Sequence, residues 1–174
     1  MAHVVFLRAA NVGGNNVFRP AKLAAALSHL EAVNIGAAGT FVIRRKTSAA
    51  TIRREVLSRL PFEPDIAIHQ AKDVVALVRS QPFRDVKLSK SVRGWVAALC
   101  ARPVREPELP HIVSKRGVWS CRVDRIEGSF AFGLWQRAPG GFVIPANVVE
   151  DAVGVPATVR WWETYERIAR VIEA

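Results

Sequence analysis

The chain has 174 residues, half of them hydrophobic, and a net charge of +10 from 25 Lys/Arg against 15 Asp/Glu. That apolar content excludes an intrinsically disordered chain, whose signature is low hydrophobicity, and no apolar run reaches the ~20 residues of a membrane span. The positive balance attracts phosphate, nucleic acid or acidic partners, but a solvated Arg-rich exterior has the same composition, so charge decides no fold.

The first predicted element is a strand, "HVVFLRA" (3–9), short, apolar and β-branched. A glycine- and asparagine-rich loop follows, "NVGGNN" (11–16), and Pro20 suits the first turn of a helix, where its missing N–H costs nothing. Leu23, Leu27 and Leu30 share one face of that helix, 21–30. "AVNIG" reads as a strand, "AAG" as a turn and "TFVIRR" (40–45) as a strand. Ser48 is placed to cap a second helix with Ile52, Val56, Leu57 and Leu60 at helical spacing, stopped by Pro61. "DIAIHQ" (65–70) alternates as a strand does, and "KDVVALVRSQ" (72–81) is a third helix closed by Pro82. Beyond a polar connector, strands are expected at 92–100, 117–126 and 129–137, with Gly128 turning between the last two. The proline-rich "ARPVREPELP" is loop, Pro145 opens a short helix, and "TYERIARVIEA" closes the chain as a helix burying Tyr165, Ile168, Ala169 and Ile172.

The order β-α-β-β-α-β is the ferredoxin-like pattern of an α+β protein. It inserts the third strand between the first and second, which brings "NVGGNN" and "AAGT" (37–40) to one end of the sheet. The expected organisation is a ferredoxin-like half over 1–82, a connector at 83–91, and a smaller β-rich half over 92–174 closed by the C-terminal helix. The opening "MAHVVFLRAAN" lacks a basic leader and an apolar core, so a cytoplasmic location is expected. Cys100 and Cys121 then read as reduced core residues on strands.

Residues 1–60 hold nine Lys/Arg (Arg8, Arg19, Lys22, Arg44, Arg45, Lys46, Arg53, Arg54 and Arg59) against Glu31 and Glu55, so the Gly/Asn loop lies in the basic third. Adjacent glycines allow positive φ and close approach of a ligand. Successive N–H groups can form an anion nest, and a helix N-terminus adds unpaired donors. These features mark Arg8, Asn11, Gly13, Gly14 and Asn15 as a candidate anion site, with Thr40 across the gap. The same residues are ordinary turn formers. The segment is no nucleotide fingerprint, since GxxxxGK[ST] and GxGxxG are both absent. A second candidate is "TVRWWET" (158–164): Thr158 or Thr164 as a helix cap, Arg160 as an anion contact, and Trp161 or Trp162 as a stacking surface. Its alternative is packing, with Trp162 anchoring the final helix in the core. His3, His29, His69 and His111 are scattered, so no metal site is expected, and no cofactor motif is present. Trp95, Trp119 and Trp135 read as core.

"FLRAANVGGNN" resembles the opening "LLRGINVGGKN" of the DUF1697 family, a bacterial domain family of unknown function. "SQPF" (80–83) resembles that family's "NPF", and "TVRWWETY" (158–165) its "TxRNWNTV". The resemblance spans nearly the whole chain and implies an α+β architecture with a ferredoxin-like first half, but no activity. This chain departs from the pattern at Ala9 (for Gly), at Ala38-Gly39-Thr40 (for "SGN"), and at Trp161 and Glu163 (for two asparagines). Arg160, Trp162 and Thr164 match. The leading functional expectation is a protein binding an anionic ligand, a phosphorylated small molecule or nucleic acid, at the Gly/Asn loop. The alternatives are a small enzyme using the same pocket, with no acid, base or nucleophile named by the sequence, and an interaction module that is monomeric or dimeric.

Overall fold

The computed structural model describes residues 1–174. It is an α+β protein with two antiparallel sheets and five helices, and its internal contacts divide it into two compact units, residues 1–80 with 164–174, and residues 81–163.

In the first unit, β1 (His3–Leu7), β2 (Ala32–Asn34), β3 (Thr40–Ile43) and β4 (Ile66–Gln70) form a sheet in the order β2-β3-β1-β4, every pair antiparallel. Alternation sorts their side chains onto two faces. Val5, Leu7, Phe41, Ile43 and Ile66 turn to one face and meet Leu23 and Leu27 of α1 (Pro20–Ala26) and its C-cap and Ile52 and Val56 of α2 (Ala49–Leu57) in one buried cluster. Ser48 caps α2 as expected, its Oγ accepting from Thr51 N–H at 3.1 Å. The expected helix 21–30 stops early: after Leu27 the chain tightens into a 3₁₀ turn, Ser28–Leu30, and leaves it through a left-handed Glu31. Phe6, one residue out of phase with Val5 and Leu7, faces the other way, and α3 (Ala71–Arg79) packs on β1 and β4 with Ala71, Val74 and Leu77 buried.

The sequence places the closing helix with the second half. In the structure α5 runs Trp162–Glu173, and residues 164–174 are counted with the first unit. The reason is aromatic packing: the Tyr165 ring stacks on Phe6, centroids 5.5 Å apart at 22°, and Tyr165 and Ile168 are fully buried. Arg44 donates to the Val171 carbonyl at 2.8 Å on the same helix.

The second unit holds β5 (Val92–Leu99), β6 (His111–Lys115), β7 (Val118–Glu127), β8 (Phe130–Gln136) and β9 (Ala157–Trp161) in the order β6-β7-β8-β5-β9. Strands β6 and β9 are absent from the sequence reading. β6 is a short edge strand whose side chains stay largely exposed, so it carries no clear alternation. β9 lies in a stretch that reads equally well as the approach to a helix, and Thr158 is a strand residue there, paired with Ala98, not a cap. One face of the sheet carries Trp95, Ala97, Cys121, Val123, Ala131 and Trp135 against Val148, Val149, Ala152 and Val153 of α4 (Pro145–Val153). Gly154, left-handed at φ +74, ends α4. Phe83 packs edge-on against both Phe132 and Trp162. A β-bulge shifts the β7–β8 register between Val123 and Arg125, and opposite it stands Gly133. A Cβ on Gly133 would lie 1.8 Å from the Arg122 carbonyl oxygen. Both cysteines are thiols, Cys121 fully buried and Cys100 half-buried.

Candidate functional site

β1 delivers the chain into the Gly/Asn loop under tight control. Leu7 N–H donates to the Gly39 carbonyl at 2.8 Å and Arg8 N–H to the Asp65 carbonyl at 2.9 Å. The end of β1 is therefore held by the β2–β3 turn on one side and by the run into β4 on the other. Gly39 must be glycine here: its φ is +74 and a Cβ would lie 2.9 Å from Leu7 Cβ.

Past Arg8 the backbone enters the left-handed region at Ala9 (φ +52) and Asn11 (φ +55). Asn is among the few side chains that tolerate this, being short and able to bond locally. Asn11 uses both ends of its amide: Nδ2 donates to the Ala37 carbonyl at 2.9 Å, and Oδ1 accepts from Phe18 N–H at 2.9 Å. One side chain thus fastens the loop to the β2–β3 turn and to the approach of α1, which places "NVGGNN" and "AAGT" at the same end of the sheet.

Between these anchors residues 11–16 form a small hairpin. Asn15 N–H donates to the Val12 carbonyl at 2.9 Å and Asn11 N–H to the Asn16 carbonyl at 3.2 Å. Gly13 (φ +57) and Gly14 (φ +76) are the two central residues of the turn. Both φ values are positive, as a type I′ turn requires, so the turn itself accounts for the paired glycines. Two left-handed residues in a row reverse the chain here, and their N–H groups stay at the tip of the turn. Asn16 braces the hairpin through Nδ2 to the Ala9 carbonyl at 3.3 Å.

The structure brings Arg8, Asn11, Gly13, Gly14 and Asn15 into this one loop. Arg8 Nη1 lies 3.6 Å from Asp65 Oδ2, an ion pair open to solvent and missing from the sequence reading because Asp65 sits before β4. Thr40, expected to face the gap, is fully buried in β3, paired with Phe6. Arg160 belongs to the second unit, on β9, where its Nη1 donates to Thr158 Oγ1 at 2.6 Å and to the Val159 carbonyl at 2.9 Å. Trp162 is a core residue, edge-on to Phe83 at 5.2 Å, as the packing alternative anticipates.

The titratable groups with displaced equilibria lie elsewhere. Burial lowers His3 on β1 and takes His69 on β4 down to about 4, with Asp73 opposing. Both imidazoles are therefore neutral at pH 7. On α2 the His29 hydrogen bond at 3.0 Å holds the Glu55 carboxyl below its usual range, helped by Arg59. Burial pushes the Cys121 thiol up to about 12, so this thiol is inert as a nucleophile.

Against protein-family models, residues 1–120 match DUF1697, described as a protein of unknown function. The chain belongs to the DUF1697 family. No curated protein matches it. Among solved structures, the conserved bacterial protein SP0830 from Streptococcus pneumoniae superposes with a TM-score of 0.62 at 14% identity, covering 98% of both chains, a likeness of fold. No helix of this DUF1697 protein is long and apolar enough to cross a membrane. Its departures from the family-like "TxRNWNTV" pattern have a common neighbour that sequence reasoning did not single out. The Arg93 guanidinium lies 3.9 Å over the Trp161 ring, and Arg93 Nη2 is 3.5 Å from Glu163 Oε2. No local signal marks Arg93, since both partners lie on a segment far along the chain.

Proposed function

We propose that this DUF1697 protein binds the phosphate backbone of a nucleic acid with the hairpin loop of its first unit, and that this unit is a ferredoxin-like module. The βαββαβ element order and the strand order β2-β3-β1-β4 support the second part. One observation carries the first: residues 12–17 are all exposed, and the Gly13 and Gly14 N–H groups at the tip meet no acceptor in the chain. A Cβ at either glycine would have nothing within 4 Å, so a ligand can reach the backbone itself. The Asn15 carboxamide adds donors at the tip, Arg8 stands at the foot, and Arg19 and Lys22 follow in the basic first third of the chain. An open tip suits an extended polyanion lying across it, whereas small molecules are held in concave pockets. A nucleic acid would also fit a cytoplasmic protein.

Fluorescence anisotropy with labelled 20-nucleotide single strands and duplexes, at 50 and 200 mM salt, tests this. Binding should weaken at least tenfold between the two salts. Arg8→Ala should weaken it several-fold and lower the salt slope by about one. No binding at micromolar protein in 50 mM salt, or binding indifferent to both Arg8→Ala and Gly14→Val, would overturn the reading. Exposed Val12 (60%) and Val17 (64%) would then favour a protein partner at the same hairpin.

A further inference from the structure

In the second unit a cavity of about 470 Å³ is lined by Leu88, Ser89, Lys90, Arg93, Gly94 and Glu163. Its chemistry centres on Arg93. The Arg93 side chain is about two-thirds buried, its guanidinium lies 3.9 Å over the Trp161 ring, and its ion-pair partner is Glu163 at 3.5 Å. That separation exceeds a charge-assisted hydrogen bond, which spans roughly 2.7–2.9 Å. A guanidinium carries five donors in a fixed fork, and stacking on an indole consumes none of them. Glu163 is 69% exposed, so its carboxylate is readily exchanged for a better acceptor.

The rest of the lining supplies matching donors. Ser89 Oγ accepts from both Ser91 N–H and Val92 N–H at 3.1 Å, which fixes the oxygen and leaves its own proton to donate outward. Lys90 follows on the same turn and is exposed. A guanidinium fork, an ammonium and a hydroxyl proton around one cavity match the three terminal oxygens of a phosphate monoester better than the two of a carboxylate. The cavity, about 470 Å³ and partly open to solvent, has room for more than the phosphate itself.

We propose that this cavity binds a phosphorylated small molecule of sugar-phosphate size, its phosphate taken by Arg93, Lys90 and Ser89 in place of the Glu163 carboxylate. Trp161 orients Arg93, and Glu163 occupies the site when the ligand is absent. The site is independent of the hairpin loop and stands or falls separately from nucleic-acid binding.

Isothermal titration calorimetry of the full chain with glucose 6-phosphate, ribose 5-phosphate, inorganic phosphate and glucose tests it. A sugar phosphate should bind more tightly than inorganic phosphate, and glucose should show no heat. Glu163→Gln removes the competing carboxylate and should tighten binding about three- to fivefold, the scale of an exposed ion pair. Lys90→Ala, an exposed change that spares the fold, should weaken it several-fold, and Arg93→Met at least tenfold. Gly14→Val should leave it unchanged. Absence of sugar-phosphate binding at millimolar concentration in both the parent and Glu163→Gln overturns the proposal. So does binding that survives Lys90→Ala and folded Arg93→Met unaltered.

Discussion

The hairpin tip at Gly13–Gly14 and the bulged ladder opposite Gly133 use glycine for opposite reasons. At the tip there is empty space around each Cα and a backbone of the wrong hand for a side chain: φ is +57 and +76, and nothing lies within 4 Å of a Cβ. At Gly133 the conformation is ordinary strand, and the space is already filled by the Arg122 carbonyl and the Trp95 ring. The first need is local and visible in a tetrapeptide. The second arises where two strands of one hairpin meet out of register, and it depends on how residues 122 and 133 pair rather than on the glycine's own neighbours.

Three substitutions sharpen this contrast. Gly133→Ala should cost most, about 3 kcal/mol or more, because overpacking against backbone cannot be relieved by turning a side chain. At roughly 2–4 °C per kcal/mol for a chain of this size, calorimetry should register a fall in Tm of about 6–12 °C. An unchanged Tm would mean that the bulge relaxes freely. Gly14→Val should cost less, about 1–2 kcal/mol, the penalty of a β-branched residue in the left-handed region. Its signature in hydrogen exchange should be confined to the loop and the Ala37 turn. Gly13→Asn should be nearly neutral, within about 0.5 kcal/mol, because Asn is the preferred partner of Gly in a type I′ turn. If Gly13→Asn destabilised the protein as much as Gly14→Val, the two glycines would be serving something other than turn geometry.

The same division explains what the sequence disclosed and what it withheld. Hydrophobic alternation and helical spacing fixed most elements of the first unit, and Ser48 and Pro145 marked helix starts through chemistry confined to a few residues. Strands β6 and β9 escaped because an edge strand with exposed side chains and a five-residue strand abutting a helix carry little pattern of their own. The loop's existence was legible, but not its wiring. The acceptor of the Asn11 amide is a carbonyl 26 positions away, and carbonyls are alike in every residue. Arg93 was hidden for a related cause: an arginine on a strand acquires meaning only from the indole and carboxylate that meet it from β9 and α5.

Phe6 and Tyr165 stack within one unit although they flank the whole of residues 81–163 in the chain. This has a consequence for the order in which the protein can be made. A ribosome releases the four strands of the first sheet early, yet the aromatic lid for Phe6 emerges only after the second unit has been translated. The intervening unit lies on contiguous chain, while the earlier one has only α3 on that face of its sheet until α5 is made. That side of the first sheet is therefore covered by α3 alone for as long as the rest of the message takes to read.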